Sequence, residues 1–462
     1  MKRALAATCA ALALGASTAH AWEGTTTHAG LTEVAAQSSH LHARLHQLGF
    51  DRGLFEALTV PPEDAPALLA ALAMFPPTAG FTPDARGRQF ALAWLVAGAV
   101  LADAPFAANH FYDPATHRGW ARPSMSVWTR IAERATSALP ATGVAAPDWV
   151  TSKDNPLGLD GFIDQYAKAI RGATPGERSR AMAGALVAAG AILHVLEDMG
   201  SPSHVRGDAR AHLDPIGPGA GDLGSRFERV TALAFGRLGI PGPSRVVSRP
   251  TLRGFFTTSE GSKDPGLAET TADHWFSADT LPRPVRIATG SRTVTPSLAR
   301  PLPAPPRLLN LMSASQVDGT TLDDASGVCL ARYRVERGLL SFWLDDDCLL
   351  AQAQAILPET ASYATGALDF LFRGELNVVG GNGEIAVTAA AAMGAGTLEL
   401  LSEDARGVRA PLKSIELKPA LTGSLLAAIA APAGARRIVA MFRGVDGVGE
   451  RLIAVGAIEL AP

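Results

Sequence analysis

The chain is short of charge, of aromatic rings and of cysteine. Charged side chains are 18% of its 462 residues and aromatic ones 6%, while apolar residues reach 47%. That balance excludes a self-repelling disordered chain and leaves ample material for a large core. Lys and Arg nearly match Asp and Glu, 41 against 44, and no basic patch advertises a polyanion partner. Of the three cysteines, Cys9 falls in an N-terminal apolar run, and Cys329 and Cys348 have no histidine or third cysteine beside them. A thiolate zinc site is therefore excluded; in an oxidising compartment Cys329 and Cys348 would instead pair and close a short loop. No internal repeat is apparent. Phe90 to Ala102 is apolar but short and is bracketed by Arg88 and Asp103, so no segment after the N-terminus is expected to span a membrane.

The N-terminus reads as a secretory signal. Lys2 and Arg3 precede an apolar stretch from Ala4 to Ala16, and Ala19-His20-Ala21 supplies the small-residue cleavage site. A secreted or periplasmic protein is expected. Loss of Lys2 and Arg3 leaves 39 basic against 44 acidic side chains, a net charge near −5 with neutral histidine. Cleavage would make Trp22 the first residue. Its α-amine, with a pKa near ~8, can ligate a metal once deprotonated, its carbonyl can complete a chelate, and His28 follows closely enough to join it.

The densest chemistry lies in His194-Val-Leu-Glu-Asp198-Met-Gly-Ser-Pro202-Ser-His204, after an alanine-rich helical run from Ala181 to Leu193. His194 and Asp198 are four apart and share one helix face. Charged groups in such apolar surroundings are costly unless paired or bound to metal. A core histidine satisfied by a carboxylate and a metal site are equally open on these residues alone. Elsewhere, helices are expected over Arg86–Asp103, Ser124–Leu139, Gly158–Gly172, Ser225 to about Leu238 and Ala351–Phe372, with Pro105 ending the first of these. Asp103 and His110 flank the connection after it. His42 and His46 have one-turn spacing but polar neighbours, which reads as a solvated face, and His117 reads as exposed loop. Residues 239–306 form a long Pro- and Gly-rich polar stretch with a short ordered island at Asp273–Asp279. From Glu375 onward histidine and cysteine vanish, and short alternating strands separated by Gly-rich turns predict a small β-sandwich over 375–462. At about 150 residues per domain the length suits two or three domains.

The ordered set Trp22, His28, Asp103, Asn109-His110-Phe111-Tyr112-Asp113-Pro114, His194-x3-Asp198, Pro202-x-His204 and Phe227-Glu228 resembles the zinc-dependent phospholipase C and single-strand-specific nuclease family over roughly Trp22 to Gly374. The resemblance implies an all-helical metal-binding domain at 22–374; with the signal peptide at 1–21 and the β-sandwich at 375–462, a mainly α protein is expected. It also implies two or three zinc ions. Asp103, His110, His194 and Asp198 would hold one, and the Trp22 amine and carbonyl with His28 would hold a second that shares Asp198. His204, Glu228 and one more ligand would hold a third. Where the family pattern has a histidine four residues before the final acid, this chain has Gly224; Asp208 is taken as the replacement, with His212 and Asp222 as alternatives.

The donor chemistry suits zinc independently, since imidazole with carboxylate is a borderline-soft set binding Zn²⁺ at ~2.0–2.2 Å. Metals so held would clamp a phosphodiester and acidify a bridging water, and Asp103 would orient that water or take its proton. The expected activity is phospholipase C-type hydrolysis at phospholipid head groups, with peripheral membrane contact through the β-domain. Single-stranded nucleic acid is the alternative substrate, stacked on Trp120, Trp128, Trp149 or Trp275. A module that has lost catalysis and only binds lipid or a partner is the third reading, prompted by Gly224.

Overall fold

The structure, a computed structural model, describes residues 24–103, 107–121, 141–208, 211, 225–288, 290, 292–294, 309–310, 320–381 and 383–460. The signal segment, Trp22, the helix expected over Ser124–Leu139 with Trp128, and His212, Asp222 and Gly224 lie outside the described residues.

One helix organises the molecule. Pro175–Glu197 starts at a capping box: the Thr174 hydroxyl accepts the Glu177 amide and the Glu177 carboxylate accepts the Thr174 amide. Pro175 sits at the first helical position, where its missing N–H costs nothing. From Ala181 onward the helix is buried on almost every side. By length and composition Pro175–Gly200 could cross a membrane, but protein covers it. Ala91–Leu101, Leu159–Arg171 and Asp346–Leu371 pack around it. The approach of Ala91–Leu101 is unusually close because glycines face carbonyls. A Cβ on Gly190 would lie 1.9 Å from the Leu95 oxygen, and one on Gly98 would lie 2.0 Å from the Val187 oxygen. Small side chains here let the two backbones touch.

The N-terminal part is not all-helical. Ala57–Thr59 (β1) pairs with Arg88–Phe90 (β2), so the apolar helix begins at Ala91 rather than Arg86. Val285–Arg286 (β3) belongs to a four-stranded antiparallel sheet; Thr293–Val294 (β4) and Leu309–Asn310 (β5) form a separate pair. The sheet's other strands are Thr320–Asp323 (β6), Cys329–Glu336 (β7) and Leu339–Trp343 (β8), in the order β3-β8-β7-β6. β7 and β8 are joined by Arg337 and Gly338, both at positive φ of 51° and 75°, the geometry of a two-residue hairpin turn. The disulfide expected between Cys329 and Cys348 is present and ties β7 to the start of the Asp346–Leu371 helix. That helix begins five residues before the expected Ala351, capped by the Asp345 carboxylate on the Cys348 amide, and runs through Pro358.

The stretch expected to be a polar insertion contributes side chains to both cores. Val247, Leu252, Phe255, Phe256, Leu267, Ala268 and Ala272 are buried in the main helical core. Trp275 and Phe276 join the second core beneath the four-stranded sheet.

Gly374–Gly381 (β9), Glu384–Ala389 (β10), Met393–Glu403 (β11), Arg409–Leu417 (β12), Leu425–Ala430 (β13), Arg437–Asp446 (β14) and Arg451–Glu459 (β15) form one seven-stranded sheet, ordered β12-β11-β14-β15-β9-β10-β13. Leu398, Leu400, Ala440, Phe442 and Ala454 share a cluster with Leu376, Val387, Ala389 and Ala427, all buried and all from this sheet. The cover over them therefore comes from the sheet itself, which closes on itself like a sandwich while staying hydrogen-bonded as one sheet. The alternate residues Leu401, Val439, Met441, Ile453 and Val455 belong to the main helical core. Both faces of β14 and β15 are thus buried. The junction is further fastened by Arg409, which donates to the Ile170 carbonyl, and by Arg178, which donates to the Gly407 carbonyl.

Candidate metal centre

The chemistry-bearing residues come from separate elements that end at one place. His194 lies in the last turn of the central helix. Asp198 opens the 3₁₀ turn Asp198–Gly200, and Ser201 then leads into the short helix Pro202–Val205, which carries His204. Asp103 follows Ala91–Leu101, and His110 follows the 3₁₀ turn Ala107–Asn109. His28 closes a π-helical turn, Gly24–His28, a rare geometry that recurs at functional sites. Glu228 stands in the first turn of Arg226–Phe235. His28, His194 and Asp198 are wholly buried, and Asp103, His110 and His204 nearly so.

Distances around these rings fall into two groups. At the back, hydrogen bonds fix three of the four rings: His28 Nδ1 meets Glu197 Oε2 at 2.7 Å, His194 Nδ1 meets the Ala99 carbonyl at 2.7 Å, and His204 Nδ1 meets the His110 carbonyl at 3.0 Å. At the front, nitrogen faces carboxylate at longer range. His28 Nε2 is 3.2 Å from Asp198 Oδ1. His194 Nε2 is 3.3 Å from Asp103 Oδ1 and 3.4 Å from Asp198 Oδ2. His110 Nδ1 is 3.0 Å from Asp198 Oδ2 and 3.5 Å from Asp103 Oδ1. Two donors each ~2.1 Å from a tetrahedral ion would be ~3.4 Å apart, whereas N–H···O bonds centre near ~2.9 Å. Four of the five front distances, 3.2–3.5 Å, lie nearer the first spacing, and the 3.0 Å approach of His110 to Asp198 lies nearer the second. Consistently, His28 Nε2, both ring nitrogens of His110, His194 Nε2 and both oxygens of Asp198 make no hydrogen bond although buried. Unsatisfied buried polar atoms are costly and uncommon, and so many in one place fit a site that binds a cation. The mutually close donor sets among the described residues are His28–His194–Asp198 and Asp103–His110–His194. Asp198 sends one oxygen toward His28 and the other toward His110 and His194, as a bridging ligand would.

The electrostatics are those of a tight, strongly coupled cluster. Burial pushes the His194 imidazolium down, but Asp103 and Asp198 outweigh it and hold the group well above its ordinary value. Burial pushes the Asp198 carboxyl up, yet the neighbouring His194 and His204 carry it well below the usual carboxylate range. For His28, burial and the His194 ring stacked at 3.7 Å act against charge. Asp198 and Glu197 reverse the balance and raise it.

The third expected set is arranged differently. His204 Nε2 faces Glu228 Oε1 at 3.5 Å. That same oxygen accepts the Ser201 hydroxyl at 2.6 Å, and Oε2 accepts the Ser225 amide at 2.8 Å in a capping box. Burial raises the Glu228 carboxyl. Asp208 is buried, but its oxygens accept the amides of Ala211 and Asp279. Among the described residues, His204, Glu228 and Asp208 do not form a third close donor set. Amide and hydroxyl groups donate to both of these carboxylates.

Glu197 and Thr32 were not expected. Glu197 neighbours Asp198 in sequence, and the residue type alone does not say which acid faces the rings. His40, His42 and His46 are exposed, as a solvated face requires, and so is His117.

No protein-family model matches the chain, and no curated protein does. Solved structures that align with it are "Alpha Toxin from Clostridium Absonum", at 10% identity and TM-score 0.28 over 95% of this chain and 96% of that one, and the Clostridium perfringens alpha-toxin from avian strain SWCP, at 11% identity and TM-score 0.29 over 95% and 99%. At these scores the likeness carries no argument, and the site is judged on its own geometry.

Proposed function

We propose that this chain is a zinc-dependent phosphoric diester hydrolase of the phospholipase C type, exported to an oxidising compartment. The observation that carries the reading is the split between hydrogen-bonded ring backs and front nitrogens left facing carboxylates at ligand spacing. Asp103, His110, His194 and Asp198 would hold one ion. His28 and Asp198, with the Trp22 amine and carbonyl, would hold a second. When bound, such ions stabilise charge on phosphoryl oxygens and acidify water toward neutral pH. Asp198 joins the two sets through its separate oxygens. Asp103, which faces His110 and His194, would orient the attacking water or accept its proton. The ordered motif set noted above supports phosphodiester chemistry. Trp120, Trp149 and Trp275 are buried, so among the described residues the tryptophans considered for base stacking do not offer a surface, which favours lipid over single-stranded DNA. The Cys329–Cys348 disulfide is consistent with export.

The test is turnover of phosphatidylcholine, bis-p-nitrophenyl phosphate and single-stranded DNA by the purified mature protein, with and without chelator. Zinc-restored release of phosphocholine, lost together with bound zinc in His194→Ala and Asp198→Ala, is expected. DNA cleavage alone would move the assignment to nuclease. Zinc-dependent turnover of none of the three would leave a binding module, and unchanged zinc content in both variants would reject the ligand assignment.

A further inference from the structure

We infer that Glu197 is a positioning residue for the His28 metal site, holding that ring in the one tautomer and orientation in which Nε2 is offered as a ligand. The inference rests on the metal reading above. Glu197 ends the central helix and Asp198 begins the 3₁₀ turn after it. These two consecutive acids grip opposite nitrogens of a single imidazole: Glu197 Oε2 lies 2.7 Å from Nδ1, and Asp198 Oδ1 lies 3.2 Å from Nε2. All three residues are wholly inaccessible to solvent.

A carboxylate can only accept from the ring, so the 2.7 Å contact places a hydrogen on Nδ1 and leaves the Nε2 lone pair directed at Asp198 in the neutral imidazole. Glu197 is itself oriented. Its other oxygen accepts the Thr32 hydroxyl at 2.9 Å, and Thr32 is one helical turn beyond His28 in the helix Ala29–Ser38. The chain Thr32–Glu197–His28 thus closes a ring of contacts between that helix and the central one. The other two ring backs, at His194 and His204, are held by neutral backbone carbonyls. His28 alone among these three is held by a carboxylate side chain, which also raises the basicity of the ring as a ligand.

The experiment is a zinc titration of the chelator-stripped full mature chain against a competing chromophoric chelator. Wild type, Glu197→Ala, Glu197→Gln and Thr32→Val are compared, with the melting temperature of each metal-free protein measured alongside. Glu197→Gln keeps the shape and one acceptor oxygen, so it folds even if the alanine variant does not. We expect the affinity of one of the two ions to fall about 10–100-fold in Glu197→Ala and less than about 10-fold in Glu197→Gln, with the other ion bound as in wild type. Long-range ¹⁵N–¹H correlation of the metal-free protein, at a pH alkaline enough to make the ring neutral, should show His28 as the Nδ1–H tautomer in wild type and a mixture in Glu197→Ala. Wild-type affinities at both ions in the alanine and glutamine variants would overturn the role. Equal losses at both ions would also overturn it, because they would make Glu197 a general structural residue. A wild-type chain that binds no zinc would instead overturn the metal reading itself, with Glu197 falling as a consequence.

Discussion

Gly190→Ala sets two effects of opposite sign against each other. Replacing a mid-helix glycine by alanine ordinarily stabilises a helix by about 1 kcal/mol, through reduced backbone freedom in the unfolded chain. Here the new methyl would lie 1.9 Å from the Leu95 carbonyl oxygen and 2.9 Å from the Ala99 amide nitrogen, about 1.5 Å short of ordinary contact with the oxygen. Neither neighbour is the end of a flexible side chain; both are backbone of the buried Ala91–Leu101 helix. Overpacking costs about 1–3 kcal/mol where side chains can shift, so a collision with backbone belongs at the upper end. The clash wins, and a net loss of about 2 kcal/mol is expected in urea unfolding of the metal-free protein. The same displacement reaches the metal centre. His194 is one turn after Gly190 and Ala99 one turn after Leu95, and their 2.7 Å hydrogen bond would not survive a 1 Å separation of the helices. Zinc affinity should fall about tenfold or more with it. Gly176→Ala, in the same helix with nothing within 4 Å, serves as the control without a clash. A Gly190→Ala protein that is more stable than wild type and binds zinc normally would show that the helices are not locked at this distance, and the account of how His194 is positioned would fail.

Three further outcomes are expected. Metal analysis of the mature protein should find two zinc ions per chain, unchanged in Glu228→Gln, because neither close donor set among the described residues includes that carboxylate; a third ion that this substitution removes would contradict the arrangement at His204. In chelator, the melting temperature should fall as pH rises above neutrality. The folded-state pKa of His194 is raised above its ordinary 6.5, so its contribution is complete below that value and is lost as pH climbs through the folded pKa. The depressed Asp198, with an ordinary value of 3.8, contributes above that value and is lost only as strong acid takes pH through its folded pKa. Saturating zinc, which requires neutral imidazole, should flatten the alkaline fall, and a melting temperature constant from pH 5 to pH 9 without metal would refute the coupling. Replacing Cys329 and Cys348 by serine opens a loop of sequence separation 19 and should cost about 3 kcal/mol on the chain-entropy account; an unchanged unfolding midpoint would count against it.

What the sequence revealed and concealed follows from where periodicity applies. His194 and Asp198 were legible because one-turn spacing survives from sequence into space, and Pro202 marked the break that brings His204 back. Glu197 was not, because consecutive acids at a helix end are equivalent until tertiary packing places a ring between them. The core role of residues 247–276 was hidden for a related reason. Val247, Leu252, Phe255 and Leu267 are separated by Pro, Gly and polar residues with no period of two or 3.6, so they look like loop although the cores close on them. The packing of the C-terminal sheet against the helical core was not legible in the pattern that predicted a small β-sandwich. Alternation predicts one buried face, whereas Val439 and Met441 turn to the helical core while Ala440 and Phe442 turn to the sheet's own.

The chain also carries punctuation for its turns. Asp84, Asp324, Asp404 and Asp446 each accept the amides two and four residues on. Each is followed three residues later by a glycine at positive φ: Gly87, Gly327, Gly407 and Gly449. Asp-x-x-Gly is therefore a local turn instruction in this chain, written by side-chain acceptance and glycine's tolerance of the left-handed region. It marks tight turns that hydrophobic patterning alone did not place, including the one between β6 and β7. The metal centre needs no such local instruction. The close contact of the two helices at Gly98 and Gly190 sets the distance at which the Ala99 carbonyl holds the back of the His194 ring and leaves its front nitrogen facing Asp103 and Asp198.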